Sequence, residues 1–461
     1  MKNDRIGRPG VLVLAVVGLL AVSWVLPPTV HQARRLCPVR PDGVSEAGAY
    51  AAFARRYGVS CSVCHASYPQ LNETGYKFRV AGYRMPDEIG NEAKWTNWGD
   101  NSSIKLVESY AAASTKGNKT STPETNGFSN AGLQVFPLEG AFGKYMAAND
   151  EVDFNAGTSN TTKGTAGSFS LSNVNMVATL PVTPDSFVTT RVGLISNFQG
   201  YGASDRGVGA VSPTFKPTPS QIQPGGGTAS FTYPGFGVAG EGAEVAYNWK
   251  DTHASVQVTN GYNSFNNSTN QGEDNHYKDF SFFVNQMIGE SALAASFYSG
   301  TSGYGPNAAT VVNGVGGAES AGAPFTAGWY DNYMRGILYA TIKALPNDKL
   351  DLLLGACDGT DHTYDLRTRS SSDQFHSLGW FATLQSMQQV LSHQLTTALS
   401  YGTDRASTAT AGNRVSDVTL SFAVPVDNNK FDFSLQTRRT QAVGTKDTTA
   451  DLAQAQWEFM F

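Results

Sequence analysis

The sequence predicts an all-β transmembrane barrel with a small α-helical domain at its N-terminal end. Three observations predict it. From about residue 101 onward, segments of roughly ten residues alternate apolar and polar side chains. The connections between them alternate short and long. The last stretch places Ala453, Ala455, Trp457, Phe459 and Phe461 on one face and ends the chain on an aromatic ring.

Composition agrees. A chain of 461 residues would ordinarily divide into two or three domains, but a closed sheet absorbs such a length as one unit. The 48 glycines and the charged fraction of only 15 % suit short strands joined by polar turns. Beyond the N-terminus no stretch reaches the ~20 apolar residues of a membrane-crossing helix. A formal charge of -5 without a basic stripe argues against nucleic acid as a partner.

The first element is an export signal, residues 1–33. Lys2, Arg5 and Arg8 precede the apolar run Val11 to Leu26, Pro27-Pro28 closes it, and the best cleavage position follows Ala33. An uncleaved anchor is the alternative, because His31 is awkward two positions earlier. Cys37 follows Leu36, so it lacks the small residue expected before a lipidated cysteine and stays an unassigned thiol.

The second element, residues 34–100, carries Cys61-Ser62-Val63-Cys64-His65. Two thiols at this spacing can add to the two vinyl groups on one porphyrin edge, and the following imidazole can reach the iron, so the run reads as an attachment site for one c-type haem. The segment is then a monohaem cytochrome c domain. A redox dithiol would want a βαβ setting, and zinc a second ligand pair at ordinary spacing. Neither is present in the sequence; a disulfide is the remaining plain reading. Helices are expected over Phe53 to Val59 and over Pro69 to Ala81, the second offering Leu71, Tyr76 and Phe78 to pack on a ring or on each other. A domain this short buries a porphyrin poorly alone, so it is expected to plug the lumen near the periplasmic end.

The third element, residues 101–461, is the barrel. In Ser255 to Thr259 the valines Val256 and Val258 share one face and Gln257 the other. Phe431, Phe433 and Leu435 alternate likewise with Asp432, Ser434 and Gln436. The apolar set should meet lipid and the polar set lumen water. Short connections are expected at Thr183 to Ser186, Lys250 to His253, Ile288 to Ser291, Leu345 to Asp348 and Val426 to Asn429. Long ones are expected at Gly200 to Pro234, Tyr262 to Tyr277, Gly300 to Asp331, Cys357 to Asp373 and Gly402 to Arg414. This alternation gives about sixteen antiparallel strands with both ends on the periplasmic side. A soluble sandwich is the competing architecture, but it does not account for the length alternation.

The terminal strand resembles the C-terminal signal strand of bacterial outer-membrane barrels. Phe53-Ala54-Arg55, Cys61-x-x-Cys64-His65, Pro69, Leu71-Asn72, Gly75, Phe78 and Gly82-Tyr83 together resemble the fused monohaem cytochrome c-porins, a family that includes outer-membrane iron oxidases. The resemblance covers roughly residues 53–83 in detail and the barrel in architecture only. It implies oxidation of extracellular Fe(II) at a single haem, with electrons passed to a periplasmic cytochrome or copper protein, and the surrounding outer-membrane lipid as the other partner.

Within that frame His65 is the proximal iron ligand. Met85, after Gly82-Tyr83-Arg84 and before Pro86, is the candidate distal ligand; its plain role is packing, and the alternatives are barrel histidines such as His376 and His393, or no protein ligand. Oxygen and imidazole groups in two loops could meet Fe(II) at the outer mouth: Glu273, Asp274 and His276, then Asp358, Asp361, His362 and Asp365. Their plain reading is solvated loop acids. Cys357 falls on the lumen face, opposite Leu350, Leu352, Leu354 and Ala356, as a structural thiol. Two other functions stay open: a haem-barrel conduit for another extracellular donor or acceptor, and a solute porin whose haem segment is only a plug.

Overall fold

The computed structural model describes residues 52–59, 61–67, 70–93, 100–116, 122–155, 168–195, 240–260, 278–304, 329–345, 350–365, 370–390, 393–407, 412–426, 429–442 and 447–460. The export signal at 1–33 and Cys37 lie outside them.

The N-terminal part has two helices, α1 (Ala52–Tyr57) and α2 (Glu73–Val80), and a two-stranded ribbon, β1 (His65–Ser67) with β2 (Gln70–Leu71). Residues Cys61–Val63 form one turn of 3-10 helix. Helix α2 starts at Glu73 rather than at the expected Pro69. Asn72 takes an extended backbone and caps the helix through its side chain, while Gln70 and Leu71 are drawn into the ribbon.

The barrel runs through β3 (Ser103–Lys116), β4 (Thr122–Phe136), β5 (Glu139–Phe142), β6 (Met146–Asn155), β7 (Ser168–Thr183), β8 (Ser186–Ile195), β9 (Gly240–Trp249) and β10 (Thr252–Thr259). It continues through β11 (Asp279–Ile288), β12 (Ser291–Tyr304), β13 (Trp329–Leu345), β14 (Leu350–Asp365) and β15 (Ser370–Val390). It ends with β16 (His393–Ser407), β17 (Gly412–Val426), β18 (Asn429–Ala442) and β19 (Thr448–Met460). Neighbours pair antiparallel and β19 pairs with β3, so the sheet closes. Both β4 and β5 pair with β6, as two halves of one strand interrupted at Pro137, and the barrel therefore has 16 strands. Proline has no N–H for the ladder, and it breaks the strand there.

Side-chain period two sets the two faces. Val192, Val245, Val256, Phe280, Leu399, Phe431 and Phe433 are exposed on the outer wall. An outward apolar surface on a closed antiparallel sheet with a polar interior is that of an outer-membrane barrel. No helix among the described residues is long and apolar enough to cross a membrane. Gln257, Asp432, Ser434 and Gln436 point inward as expected, but they are buried rather than bathed in lumen water. Gln436 donates to Asp417 Oδ2 at 3.0 Å, and Lys430 Nζ pairs with Asp432 Oδ2 at 2.9 Å.

Tight turns stand at Thr183–Ser186, Trp249–Thr252 and Ile288–Ser291, where Lys250 (φ 50°) and Gly289 (φ 61°) take the left-handed backbone. Three of the long connections are shorter than the sequence suggested, while Gly200 to Pro234 and Tyr262 to Tyr277 lie outside the described residues. Residues 357–365 and 370–373 belong to β14 and β15, and residues 402–407 and 412–414 to β16 and β17. The ladder from Trp329↔Asp365 onward continues there although the residues are polar on both faces.

Candidate haem-attachment turn inside the barrel

The segment 52–93 occupies the lumen at the short-turn end. Tyr76 and Val80 of α2 share one buried cluster with Phe283, Met287, Tyr298, Ile337, Tyr339 and Phe381 from the inner wall. Burying each such apolar side chain contributes roughly 1.5–3 kcal/mol, an upper figure for a chain already partly collapsed when unfolded.

Polar ties fix the segment to opposite parts of the wall. Gln385 Nε2 donates to Gln70 Oε1 at 2.7 Å, and Thr189 Oγ1 donates to the Val80 carbonyl at 2.9 Å. Arg84 donates to the carbonyls of Lys144 (2.5 Å) and Met146 (2.8 Å), and Arg56 to that of Ala141 (2.7 Å). Lys77 Nζ lies 2.8 Å from Glu73 and 3.1 Å from Asp251 in a barrel turn. A Cβ on Gly82 would stand 2.3 Å from Thr179 Oγ1, so the segment meets β7 with no room to spare.

Within this frame Cys61, Cys64 and His65 are half-buried and neither cysteine is in a disulfide. The 3-10 turn explains their relation. Cys61 opens the turn and Cys64 follows it, its N–H donating to the Cys61 carbonyl at 3.2 Å, the i to i+3 bond of such a turn. His65 follows at once as the first residue of β1. Burial raises the Cys61 thiol pKa above its ordinary 9.0. Two adjacent thiols and an imidazole on an ordered turn are the donor set a c-type haem needs, and these residues fit it.

Of the residues expected to pack on a ring, Leu71 sits by the turn, its Cδ2 2.9 Å from where a Gly75 Cβ would be. Tyr76 turns to the wall, 6.3 Å from the His253 ring centroid. Phe78 packs with Phe53 (5.0 Å) and Tyr57 (5.6 Å), and Tyr83 stacks on Phe53 at 5.5 Å. Met85 precedes a short 3-10 turn, Pro86–Glu88, and its backbone N–H donates to Glu88 Oε2 at 3.1 Å. The Tyr57 hydroxyl donates to the same carboxylate oxygen at 2.7 Å, and burial together with that bond pushes its pKa above the ordinary 10.0.

Of the expected Fe(II)-approach residues, only Asp358 has its side chain among the described residues. Glu273, Asp274 and His276 lie outside them, as do the side chains of Asp361, His362, Asp365 and His393. Asp358 is in strand β14, not in a loop, on the outward parity of Leu354 and Ala356, and its Oδ1 is 2.6 Å from His376 Nε2. No group of three His, Cys, Asp or Glu side chains able to hold a metal ion occurs among the described residues. Cys357 is buried on the inner face, as alternation predicted, and its thiol faces the Gly379 carbonyl at 3.6 Å.

Sequence reasoning missed the buried ion pairs that join neighbouring strands on the inner wall. Arg191 and Glu244 face each other in register on β8 and β9 and are joined by two bonds of 2.9 and 2.7 Å. Lys343–Asp351 (2.6 Å) and Lys105–Glu458 (3.2 Å) are likewise buried. Each looks like an ordinary polar position of an alternating strand until the register brings the partners together.

No known protein family and no curated protein matches the chain. Among solved structures it is similar to the outer-membrane channel DcaP of Acinetobacter baumannii, at 12% identity and TM-score 0.46, over 81% of this chain and 100% of that one. It is similar also to the anion-selective porin of Comamonas acidovorans, at 9% identity and TM-score 0.45, over 78% of this chain and 98% of the porin. OprB of Pseudomonas putida matches at 10% identity and TM-score 0.45, over 78% and 94% of the two chains.

Proposed function

We propose that this outer-membrane barrel is an electron-transfer protein of the cytochrome c-porin kind, holding one covalent haem at Cys61, Cys64 and His65. In this reading it oxidises extracellular Fe(II) as substrate and hands electrons to a periplasmic cytochrome or copper protein. The observation that carries the reading is the ordered C-x-x-C-H turn on a segment tied to the inner wall. When bound, the haem supplies a reversible one-electron iron couple. Cys61 and Cys64 would anchor it, and His65 and then Met85 would be the first candidates to hold its iron. The barrel wall keeps lipid from the site, and the packed lumen restricts free water around it. Fe(II) as the donor rests on the resemblance of residues 53–83; another extracellular donor, or outward flow to an acceptor, uses the same site.

A second reading is a solute porin whose haem segment serves as a plug. A barrel of 16 strands favours it, because closed sheets of that size enclose an aqueous channel when nothing fills them.

The deciding experiment mixes purified, oxidised protein with Fe(II) in a stopped-flow instrument and follows the haem bands. Rapid, saturable reduction that disappears in His65→Ala supports iron oxidation. A haem that dithionite reduces and Fe(II) does not would move the reading to another donor or to outward flow. A purified protein without haem absorbance, conducting ions freely in a bilayer, would leave the porin.

A further inference from the structure

We propose that Asn72, backed by Gly75, is the positioning residue for haem attachment, holding the Cys61–His65 turn in the shape that presents both thiols and the imidazole to one cofactor. The proposal rests on the reading of that turn as a haem site.

An asparagine that only caps a helix needs its side-chain oxygen, and here Asn72 Oδ1 accepts from Gly75 N at 3.1 Å. Asn72 does more. Its Nδ2 donates to the Val63 carbonyl at 3.0 Å, and its backbone N–H donates to the Cys64 carbonyl at 2.9 Å. These two consecutive carbonyls belong to the second thiol and the residue before it, so one side chain and its own amide grip the turn at its centre. Gly75 makes the grip close. A Cβ there would lie 2.1 Å from the Cys64 oxygen and 2.9 Å from the Cys64 carbonyl carbon, so only glycine lets α2 come this near. The ribbon holds the exit of the turn, pairing His65 with Leu71, and Gln70 is itself bound to Gln385 of the wall. The grip thus runs from the barrel wall through Gln70 to Asn72 and on to the thiols.

The chemistry requires such a grip. Each thiol adds across one vinyl C=C: a sulfur–carbon bond replaces the π bond, the thiol hydrogen ends on the neighbouring vinyl carbon, and no oxidant or reductant is consumed. After the first addition the second thiol must meet the remaining vinyl from a fixed angle, and a turn free to rotate loses that alignment.

The test uses the full-length protein, co-produced with a haem-attachment system, as wild type, Asn72→Asp, Asn72→Ala and Gly75→Ala. Asn72→Asp keeps an oxygen for the Gly75 N–H and so keeps the helix cap, but it has no donor for the Val63 carbonyl. Intact mass and the reduced pyridine-haemochrome band report none, one or two thioether bonds, and heat-modifiable gel mobility reports the barrel. The doubly attached fraction is expected to fall about fivefold or more in Asn72→Asp while the barrel is retained, the size of effect set by losing a hydrogen bond worth about 1 kcal/mol. Wild-type attachment in Asn72→Asp would overturn the proposal and leave the haem site standing. Loss of the barrel along with the haem in every variant would also overturn it, in favour of a purely structural asparagine. A wild-type protein without the haem mass would undo the reading beneath it.

Discussion

At the scale of residues, the thiols and the buried ion pairs obey opposite rules. On the haem reading, replacing Cys61 or Cys64 with Ala removes one anchor from a turn held by other residues, so these variants should carry at most one thioether bond yet assemble as barrels, as read by the pyridine-haemochrome band and by heat-modified mobility. In haem-free protein the raised pKa of Cys61 disfavours the thiolate, so its alkylation should stay slow at neutral pH and accelerate as pH rises past the ordinary 9.0. A Cys61 reacting fastest near neutrality would contradict its burial. The pair Arg191–Glu244 behaves differently: Glu244→Ala leaves a buried guanidinium uncompensated and should destabilise by about 3–5 kcal/mol, whereas replacing both with apolar residues of similar volume costs far less. Thermal unfolding of the two single variants and the double variant measures it. For Met85→Ala, a lower reduction potential and an altered spectrum are expected, and an unchanged spectrum would remove Met85 from the distal position.

At the scale of elements, much was legible and the failures have two causes. The strands Ser255 to Thr259 and Phe431 to Gln436 were readable because lipid lies on one side of them, so their alternation is enforced. Above the membrane that pressure ends. The stretch Cys357 to Asp365 is polar on both faces and reads as a loop, yet its backbone continues the β13–β14 ladder to Trp329↔Asp365. The acids expected in a loop there stand on strand β14 instead, and Asp358 Oδ1 lies 2.6 Å from His376 Nε2. The C-x-x-C-H run was legible because its chemistry is local. The grip of Asn72 was not, since it depends on where a helix begins, and Pro69 was the stronger start signal in the sequence. Gly82 offers an element-scale check. With φ at +72° and Thr179 Oγ1 2.3 Å from any added Cβ, Gly82→Ala should loosen the segment from β7, shown by faster proteolysis within residues 73–93 while the barrel persists.

For the whole molecule, the question is whether the sheet encloses a path for solutes. With Tyr76 and Val80 of the N-terminal segment packed into the inner wall, ionic current through the purified protein in a planar bilayer should stand well below that of an unobstructed barrel of the same strand number. A conductance equal to an open channel would mean that the segment leaves the lumen in the membrane.

The seam where β19 meets β3 also imposes an order of events. The segment to be enclosed comes first in the chain, and the strand that completes the wall comes last. Until Trp457 and Phe459 have paired along Glu108 and Leu106, the cylinder has an open side, and afterwards the segment can be reached only through the ends of the barrel. On the proposed haem reading, attachment at Cys61 and Cys64 would be easiest while the chain is still an unclosed sheet, which would make cofactor loading a checkpoint in biogenesis rather than a step of maturation.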